Sequence, residues 1–573
     1  MRTVAAAAGL LLVFSAAVSG SIYPWSSDMF TLAVLVLACF TVWEAGPSSL
    51  ARVWPAWLMA AVVYASSAWS VNLSGTLSQA FRLTGYLLFA YVVSASASDP
   101  GRRDALLRTL FWSAVLVSMY GIYQYFIGFA NTAEYLRGAE AARSISPGRH
   151  ASAAATVRYG RVFSTMLSPN VLACYLAVAA PVGISLAAAA AGGARRLLYL
   201  SGLLLMLVAF VLTRSVGGVI ALVSGMSVFL AVSYHRAGSR LPGRMAAAGG
   251  ALAVLGLAVA FIRLQRSGPL GLGWSVEQRL HYWSGALDIW KASPLTGFGA
   301  GSFGIEYMRY MPAGAGETRY AHDLVLHLLA ELGPPGVLAA AAVFGASFVW
   351  CIRRLRAPGH MHAAAVMAGV AAFLAHNLVD YTWYVPETAA AFWFLFGISA
   401  SGGEVRPAGP SGRALGAAVT VLFLVFGVYQ VRDYMAGQRA SAALGVLAED
   451  GITSQDAART RPGPEEALEL ARSASALRPY DDSLHALLAG LYEGRAAVDG
   501  MKSVKSAEVG YNRAIELNPD YPFHYRDLGI LYMRMRDRVR ARVEFRKALE
   551  RYPSSAPLKK YLEAAEKQGG GRR

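Results

Sequence analysis

Two residue types dominate the candidates for chemistry in this chain: histidine in glycine-marked polar sequence, and arginine set against apolar runs. His322 is followed by Asp323, nine residues, then Gly333, two residues and Gly336, in AHDLVLHLLAELGPPG. Upstream, Arg279 stands in RLHYWSGALDIW, ahead of the glycine-punctuated PLTGFGAGSF of residues 294–303. Arg214 lies in LTRSVGGVIAL between two apolar runs, and Arg161 shortly precedes FSTMLSPNVLACYL with its Pro169–Asn170 pair. His376 and Asp380 are four apart in AHNLVDY, hence on one face of a helix. The planar fork of arginine binds phosphate oxygens in pairs and stays charged at any physiological pH. A neutral histidine can take the proton of an attacking hydroxyl. Arginines with one such histidine suit displacement of a phosphate-type leaving group, since cations already in place meet the growing negative charge and no metal is needed.

Each candidate also has a plainer reading. Arg214 can be a side chain reaching lipid headgroups, and Arg279 and Arg161 solvated surface charges. His322 alone can be an exposed or structural ring. The His376–Asp380 pair can be a hydrogen-bonded device that only orients the neighbouring loop. Asn170, opening a helix behind Pro169, is expected to help satisfy first-turn amides. His327, five residues beyond His322, falls on a different helical face and is not a candidate. The glycines of PLTGFGAGSF do not make a nucleotide loop, because no strand precedes them and no Lys-Ser/Thr follows. They are expected to allow tight turns near lipid or glycan. No HExxH, CxxC or Asp-x-Asp signature is present, so neither a metal nor a cofactor is expected. Cys39, Cys174 and Cys351 fall in or beside apolar runs and read as small buried side chains.

The elements that must hold these residues are membrane helices. The chain has 573 residues, 55% hydrophobic and only 15% charged, and its polar residues are unevenly spread. Thirteen apolar runs reach the length of a membrane span, which needs about 20 residues: 4–20, 29–45, 53–69, 79–97, 105–129, 167–190, 196–213, 215–234, 245–263, 334–352, 361–380, 385–401 and 413–432. The first also fits a cleaved signal peptide, which would leave twelve. Lys and Arg stay on the cytoplasmic side. With the amino terminus inside, fifteen arginines occupy short inner loops: Arg2, Arg52, Arg102, Arg103, Arg108, Arg195, Arg196, Arg236, Arg240, Arg244, Arg353, Arg354, Arg356, Arg406 and Arg413. The short loops at 21–28, 70–78 and 381–384 hold none and lie outside with the long loops 130–166 and 264–333. A polar loop as long as 264–333 usually has a function of its own. The net charge of +17 divides into +14 before residue 433 and +3 after it, so most of it is topological arginine and a nucleic-acid partner is excluded.

The tail from 433 to 573 is charged, helical in pattern and repetitive. Tyr525, Leu528, Gly529, Tyr532, Ala541, Phe545, Ala548 and Pro553 resemble the tetratricopeptide consensus, as do His485, Leu488, Tyr492, Ala507, Tyr511, Ala514 and Pro519 after a short insertion. A half-unit precedes them at Ala467, Ala471, Ala474 and Pro479. Such arrays bind partners through a concave face, so an envelope protein partner is expected beside plain support of the membrane part.

The His322–Gly333–Gly336 spacing resembles the signature of the O-antigen ligase and O-antigen polymerase superfamily, integral-membrane glycosyltransferases of the bacterial envelope. The T-R-S-x-G-G at Arg214, the R-x3-W of Arg279 and Trp283 before the glycine run, Arg161 before Pro169–Asn170, and the H-x3-D of His376 and Asp380 are similar to family motifs in order and spacing, over roughly residues 160–400. Asp323 departs from the Asn, Ser or Gln more usual there; a carboxylate beside His322 favours the charged ring and works against a base. The resemblance implies a mostly helical fold in the bacterial inner membrane. With the counted runs and the repeats this gives an all-α chain of 12–13 membrane helices over 1–432 and a helical repeat domain over 433–573, and the arginines put the large loop and tail on the periplasmic side. The resemblance also implies transfer of a glycan from undecaprenyl diphosphate to an envelope acceptor such as lipid A-core, in contact with the bilayer. Arg214, Arg279 and Arg161 would hold the diphosphate and His322 would act as base, supported by Asp323, His376, Asp380, Gly333 and Gly336. Polymerisation of repeat units and transfer to protein use the same chemistry. A flippase would instead carry charges midway in many spans, and a non-catalytic anchor would not need thirteen of them.

Overall fold

The structure, a computed structural model, describes residues 1–18, 24–137, 156–166, 168–237, 272–312, 314–356, 360–402, 410–449 and 463–567. Among them there is helix and no strand. The first part comprises α1 (Arg2–Ala17), α2 (Pro24–Ala45), α3 (Trp54–Ala65), α4 (Leu73–Ser96), α5 (Pro100–Tyr123), the short α6 (Phe129–Arg137), α7 (Pro169–Ala189), α8 (Gly193–Thr213) and α9 (Val216–Ala237). The polar connection contains α10 (Leu272–Ala292) and α11 (Phe303–Tyr310). Then come α12 (Leu324–Arg354), α13 (His360–Asn377), α14 (Pro386–Ala400) and α15 (Pro410–Glu449). The tail is α16 (Glu465–Leu477), α17 (Asp482–Asp499), α18 (Met501–Leu517), α19 (Pro522–Arg534), α20 (Arg538–Arg551) and α21 (Ala556–Glu566).

Seven described helical stretches are long and apolar enough to cross a membrane: 25–45, 100–134, 169–189, 193–213, 216–233, 324–354 and 413–447. The runs expected at 4–20, 53–69, 79–97, 361–380 and 385–401 coincide with α1, α3, α4, α13 and α14, which are shorter or less apolar. The run at 245–263 lies outside the described residues. α14 is apolar all round and sits at the centre of the bundle, its Phe392, Trp393, Phe394 and Phe396 fully buried, which is the fate of a helix without a polar face. α8 and α15 lie at the rim and leave Leu197, Leu204, Leu422 and Val428 exposed, apolar surface that suits a lipid solvent. Buried hydroxyls are paired across helices, Tyr175 with Ser113 at 2.7 Å and Tyr91 with Ser49 at 2.8 Å. α15 runs without a break through position 432, where the composition changes from apolar to charged.

The connection expected as one long loop folds, in its described part, as α10 and α11 around a small core of Ala286, Ile289, Phe303, Tyr307 and Ala321. What holds it to the bundle can be followed atom by atom. Pro334 and Pro335 have no N–H to give to the carbonyls four residues back. The carbonyls of Ala330 and Glu331 are therefore left over where α12 kinks at Gly333 (φ 63°, ψ −164°). They accept instead from the amides of Phe298, at 3.2 Å, and Gly299, at 2.8 Å. That pairing requires the glycine run to approach the kink closely. A Cβ on Gly297 would lie 2.3 Å from the Glu331 carbonyl carbon, and one on Gly333 2.4 Å from the Leu295 oxygen. The run next meets the α3–α4 turn, where Thr76 Oγ1 donates to the Ala300 oxygen at 2.6 Å and Asn72 Nδ2 to the Gly301 oxygen at 2.9 Å. The glycines expected to turn near lipid or glycan thus pack backbone against backbone.

The tail helices pack in sequential pairs, with Ala489, Ala507, Tyr511, Leu528, Ala541 and Phe545 in one core. A Cβ at Gly529 would fall 2.6 Å from the Phe545 ring, so this glycine lets α19 and α20 close. The tail also docks on the connection. Met308 of α11 is buried among Tyr525, Ala548, Tyr552 and Leu558. Arg309 pairs with Asp520, and the Tyr552 hydroxyl donates to Glu317 at 2.8 Å. Arg52, Arg102 and Arg354 gather at the other ends of the helices, where they donate to Ser98, to the Ser96 carbonyl and to the Ile398 carbonyl. The bundle therefore has one arginine-braced end and one end carrying the connection and the tail.

Candidate functional site

Asp380, just beyond α13 and 2% exposed, is the hub of the site. Its Oδ2 accepts from Asn170 Nδ2 at 2.7 Å and lies 3.7 Å from Arg279 Nη2. Its Oδ1 accepts from the Tyr381 amide at 2.9 Å and lies 3.3 Å from His322 Nδ1. A buried carboxylate needs this density of donors and cations, because an uncompensated charge there is very costly. Asn170 carries the network on: its Oδ1 accepts from Arg161 Nη2 at 3.1 Å and from Ser215 Oγ at 2.9 Å. Arg161 also donates through Nε to the Thr213 carbonyl at 3.0 Å. Arg161, Asn170, Thr213, Ser215, Arg279, His322 and Asp380 thus form one connected set from five separate stretches of chain.

Arg214 sits between Thr213 and Ser215 as the residue that ends α8, in the left-handed conformation (φ 52°, ψ 38°). Its Nη1 donates to the Tyr159 carbonyl at 3.1 Å. The following glycines let α9 approach: a Cβ on Gly218 would lie 2.4 Å from that of Ala173. Arg279 belongs to α10, where Nε donates to the Val379 carbonyl at 2.8 Å and Nη1 to the Ser275 carbonyl at 3.0 Å. This side chain is 20% exposed and His322 21% exposed, so both reach solvent while Asp380 lies beneath them.

His322 is also left-handed (φ 56°). Of the four described non-glycine residues with positive φ, two (Arg214 and His322) belong to this site, and such strain persists where the surroundings over-determine it. The imidazole stacks on Tyr282, with centroids 5.4 Å apart and planes at 25°, and meets Tyr381 edge-on at 4.7 Å. Asp323 has a different task from the one its position suggests. Its carboxylate caps α12, accepting from the Leu326 amide at 2.8 Å, and burial raises its pKa against those backbone bonds. The carboxylate set against His322 is Asp380.

His376 lies deeper, with Nδ1 3.2 Å from Thr382 Oγ1. Gly333 acts through the kink of α12, and Gly336 leaves room for the side chain before it, since a Cβ there would lie 2.5 Å from that of Leu332. His327 is buried, its Nε2 3.2 Å from Glu331 Oε1, an oxygen that also accepts from the Phe303 amide at 3.1 Å. Asn170, expected as a first-turn partner, instead bridges Arg161, Ser215 and Asp380; the cap of α7 is Ser168, which accepts from the Val171 amide at 3.3 Å. Ser215, Tyr282 and Tyr381 were not legible as site residues, although each adjoins or lies close to one that was.

Chemically, the Arg279 guanidinium and the His322 imidazole meet one buried carboxylate, while Arg161 is joined to it through Asn170 and Arg214 lies in the adjoining backbone, so the site holds more cations than Asp380 alone can balance. With Nδ1 turned to Asp380, a neutral His322 presents its lone pair on Nε2. Beside His322, Tyr320 stacks on Tyr381 with centroids 4.8 Å apart and planes at 3°, and it lines a cleft that opens between the connection and the tail.

The fold is that of a multi-pass helical membrane protein with a cation-rich polar site at one end of the bundle. Residues 201–341 match the model of the family described as O-Antigen ligase. That stretch contains Arg214, Arg279, His322, Asp323, Gly333 and Gly336, while Arg161, Asn170, His376, Asp380 and the tail lie beyond it. No curated protein matches the chain. The match supports a glycan-transfer role in O-antigen assembly.

Proposed function

We propose that the chain transfers a glycan from undecaprenyl diphosphate to an envelope acceptor of the lipid A-core type, at the periplasmic face of the bacterial inner membrane. The observation that carries this reading is the single network joining Arg161, Arg279 and His322 through Asn170 and Asp380, with Arg214 set in its backbone. In the reaction an acceptor hydroxyl oxygen bonds to the anomeric carbon, and the carbon–oxygen bond to phosphate breaks. Undecaprenyl diphosphate leaves with the electron pair, and the hydroxyl proton passes to His322 Nε2. The arginines stabilise the leaving diphosphate, and Asp380 holds the imidazole in the tautomer that accepts a proton, a positioning role. An odd number of spans, as expected from the sequence, and the arginine-braced end, read as cytoplasmic by the charge rule, support a periplasmic connection and tail. We read the tail as a tetratricopeptide-type array.

The test is reconstitution of the purified chain in detergent with lipid-linked glycan, lipid A-core and excess chelator. Glycan on the core together with released undecaprenyl diphosphate is the expected result; no transfer, or transfer abolished by chelator alone, overturns the reading. Polymerisation of repeat units is separated from ligation by the surface glycans of a deletion strain. Long unattached chains mean ligase, and single-unit decoration means polymerase.

A further inference from the structure

The cleft beside His322 has no part in the chemistry above. Its volume is ≈ 620 Å³, within the range of about 300–1,000 Å³ typical of ligand sites. One wall is the bundle and connection, with Gln79, Glu317 and Tyr320; the other is the tail, with Asp481, Asn518 and Tyr521. It is continuous with a narrower recess lined by Arg82, Trp383 and Trp393, the two sharing Gly75, Gln79, Gly301, Tyr320 and Glu331. Two features select the class of ligand. Four carboxylates (Glu317, Glu331, Asp481 and Asp482) line the wide part against one guanidinium, Arg319, so the cleft repels phosphate where the arginine site attracts it. Rings alternate with hydrogen-bonding groups, which suits a molecule with apolar C–H faces and hydroxyl edges. Asn518, 3% exposed, stands in the cleft wall, where its Nδ2 donates to Asp482 Oδ2 at 2.9 Å.

We propose that the tail forms one wall of a saccharide-binding cleft that leads the acceptor glycan to His322. The inference rests on the transferase reading for the word acceptor and on the cleft alone for saccharide binding. The tail is then part of the substrate site as well as a repeat array. Tyr320, lining the cleft two residues before His322, joins the two halves, so an uncharged sugar bound against Tyr521 and Gln79 directs its end toward the imidazole.

The experiment uses the full chain in detergent and two readouts. In the first, a neutral oligosaccharide from the end of the lipopolysaccharide core is titrated calorimetrically without donor, in the presence or absence of inorganic diphosphate. In the second, initial rates give separate KM values for donor and acceptor. Tyr521→Ala and, on the opposite wall, Gln79→Ala should each weaken oligosaccharide binding and raise the acceptor KM about tenfold, with kcat and donor KM unchanged. Tyr521→Phe, which keeps the ring, should stay within about twofold of the parent. Saccharide binding that persists unchanged in both alanine variants overturns the proposal, even if transfer itself is robust. So does displacement of the oligosaccharide by diphosphate, or a rise in donor KM with acceptor KM unmoved. Saccharide binding lost in both variants supports the cleft even if no transfer is found, in which case the transferase reading fails by itself.

Discussion

Replacing Asp380 with asparagine is the most discriminating perturbation, because the exchange keeps the volume and removes only an acceptor and a charge. One carboxylate oxygen takes the Asn170 amide at 2.7 Å, and the other takes the Tyr381 amide at 2.9 Å and faces His322 Nδ1 at 3.3 Å. An asparagine must put its own NH2 on one side or the other. Toward Asn170, two donors meet; the amide must flip, and Asn170 then loses its bonds to Arg161 and Ser215. Toward Tyr381, two donors meet again and His322 loses the group that orients it. A buried donor left without an acceptor costs about 1–3 kcal/mol, and the loss of the anion shared with Arg279 adds to it. We expect about 3 kcal/mol in the transition state, roughly a 10²-fold fall in initial transfer rate. Because part of the effect of Asp380 passes through His322, the double variant Asp380→Asn/His322→Ala should fall short of the product of the two single effects. Rates from purified protein with saturating donor decide the matter. A wild-type rate for Asp380→Asn, or strict multiplication of the two effects, would refute the reasoning.

Arg214→Ala and Arg279→Ala should each lower transfer by about 3–4 kcal/mol of transition-state stabilisation, with lysine a poor substitute because it lacks paired donors; near-normal turnover removes that residue from the site. Gly333→Ala should lower thermal stability in detergent by on the order of 2–4 kcal/mol, since φ is 63° and the new Cβ meets the Leu295 oxygen at 2.4 Å. Gly345→Ala on the same helix meets nothing within 4 Å and should be neutral or mildly stabilising, and the reverse order would dismiss the kink argument. Burial raises the pKa of Glu306 to about 7, outweighing Arg309 beside it. The folded state therefore keeps a proton that the unfolded chain releases above its ordinary carboxylate value. Stability should fall by roughly 3 kcal/mol at most as pH rises to about 7 and then level off, and Glu306→Gln should abolish that slope. Reporter fusions at residue 315 and after residue 573 should be active with a periplasmic enzyme and silent with a cytoplasmic one; the opposite pattern inverts the topology.

Much of this protein is written in its linear order. Apolar runs of span length become helices wherever the structure describes them, because lipid or a packed interior leaves the backbone no other way to satisfy its own hydrogen bonds. The arginines that punctuate those runs mark one end of the bundle for the same local reason. The glycine run and the Gly-Pro-Pro of α12 are each visible as breaks in regular structure, but their pairing is not. It arises because prolines 334 and 335 strand two carbonyls that the fold brings to the amides of Phe298 and Gly299.

The site was legible as a set of residue types and not as a set of contacts. Arg161, Arg214, Arg279, His322 and Asp380 all stood out, yet sequence proximity assigned the wrong neighbour to the histidine. Asp323 adjoins His322 in the chain, but the first amides of α12 compete for its carboxylate and take it. His322 turns left-handed and faces Asp380 instead, across a fold that also brings Asn170 and Arg279 to the same oxygens. The tail's place beside the cleft lay equally beyond local pattern, since the repeat consensus describes how helices pair and says nothing of the surface against which the pair is laid. Composition and spacing determine which groups are present and which end of the bundle carries them. Only tertiary packing decides which donor meets which acceptor, because each buried polar group binds whichever partner the fold brings within reach.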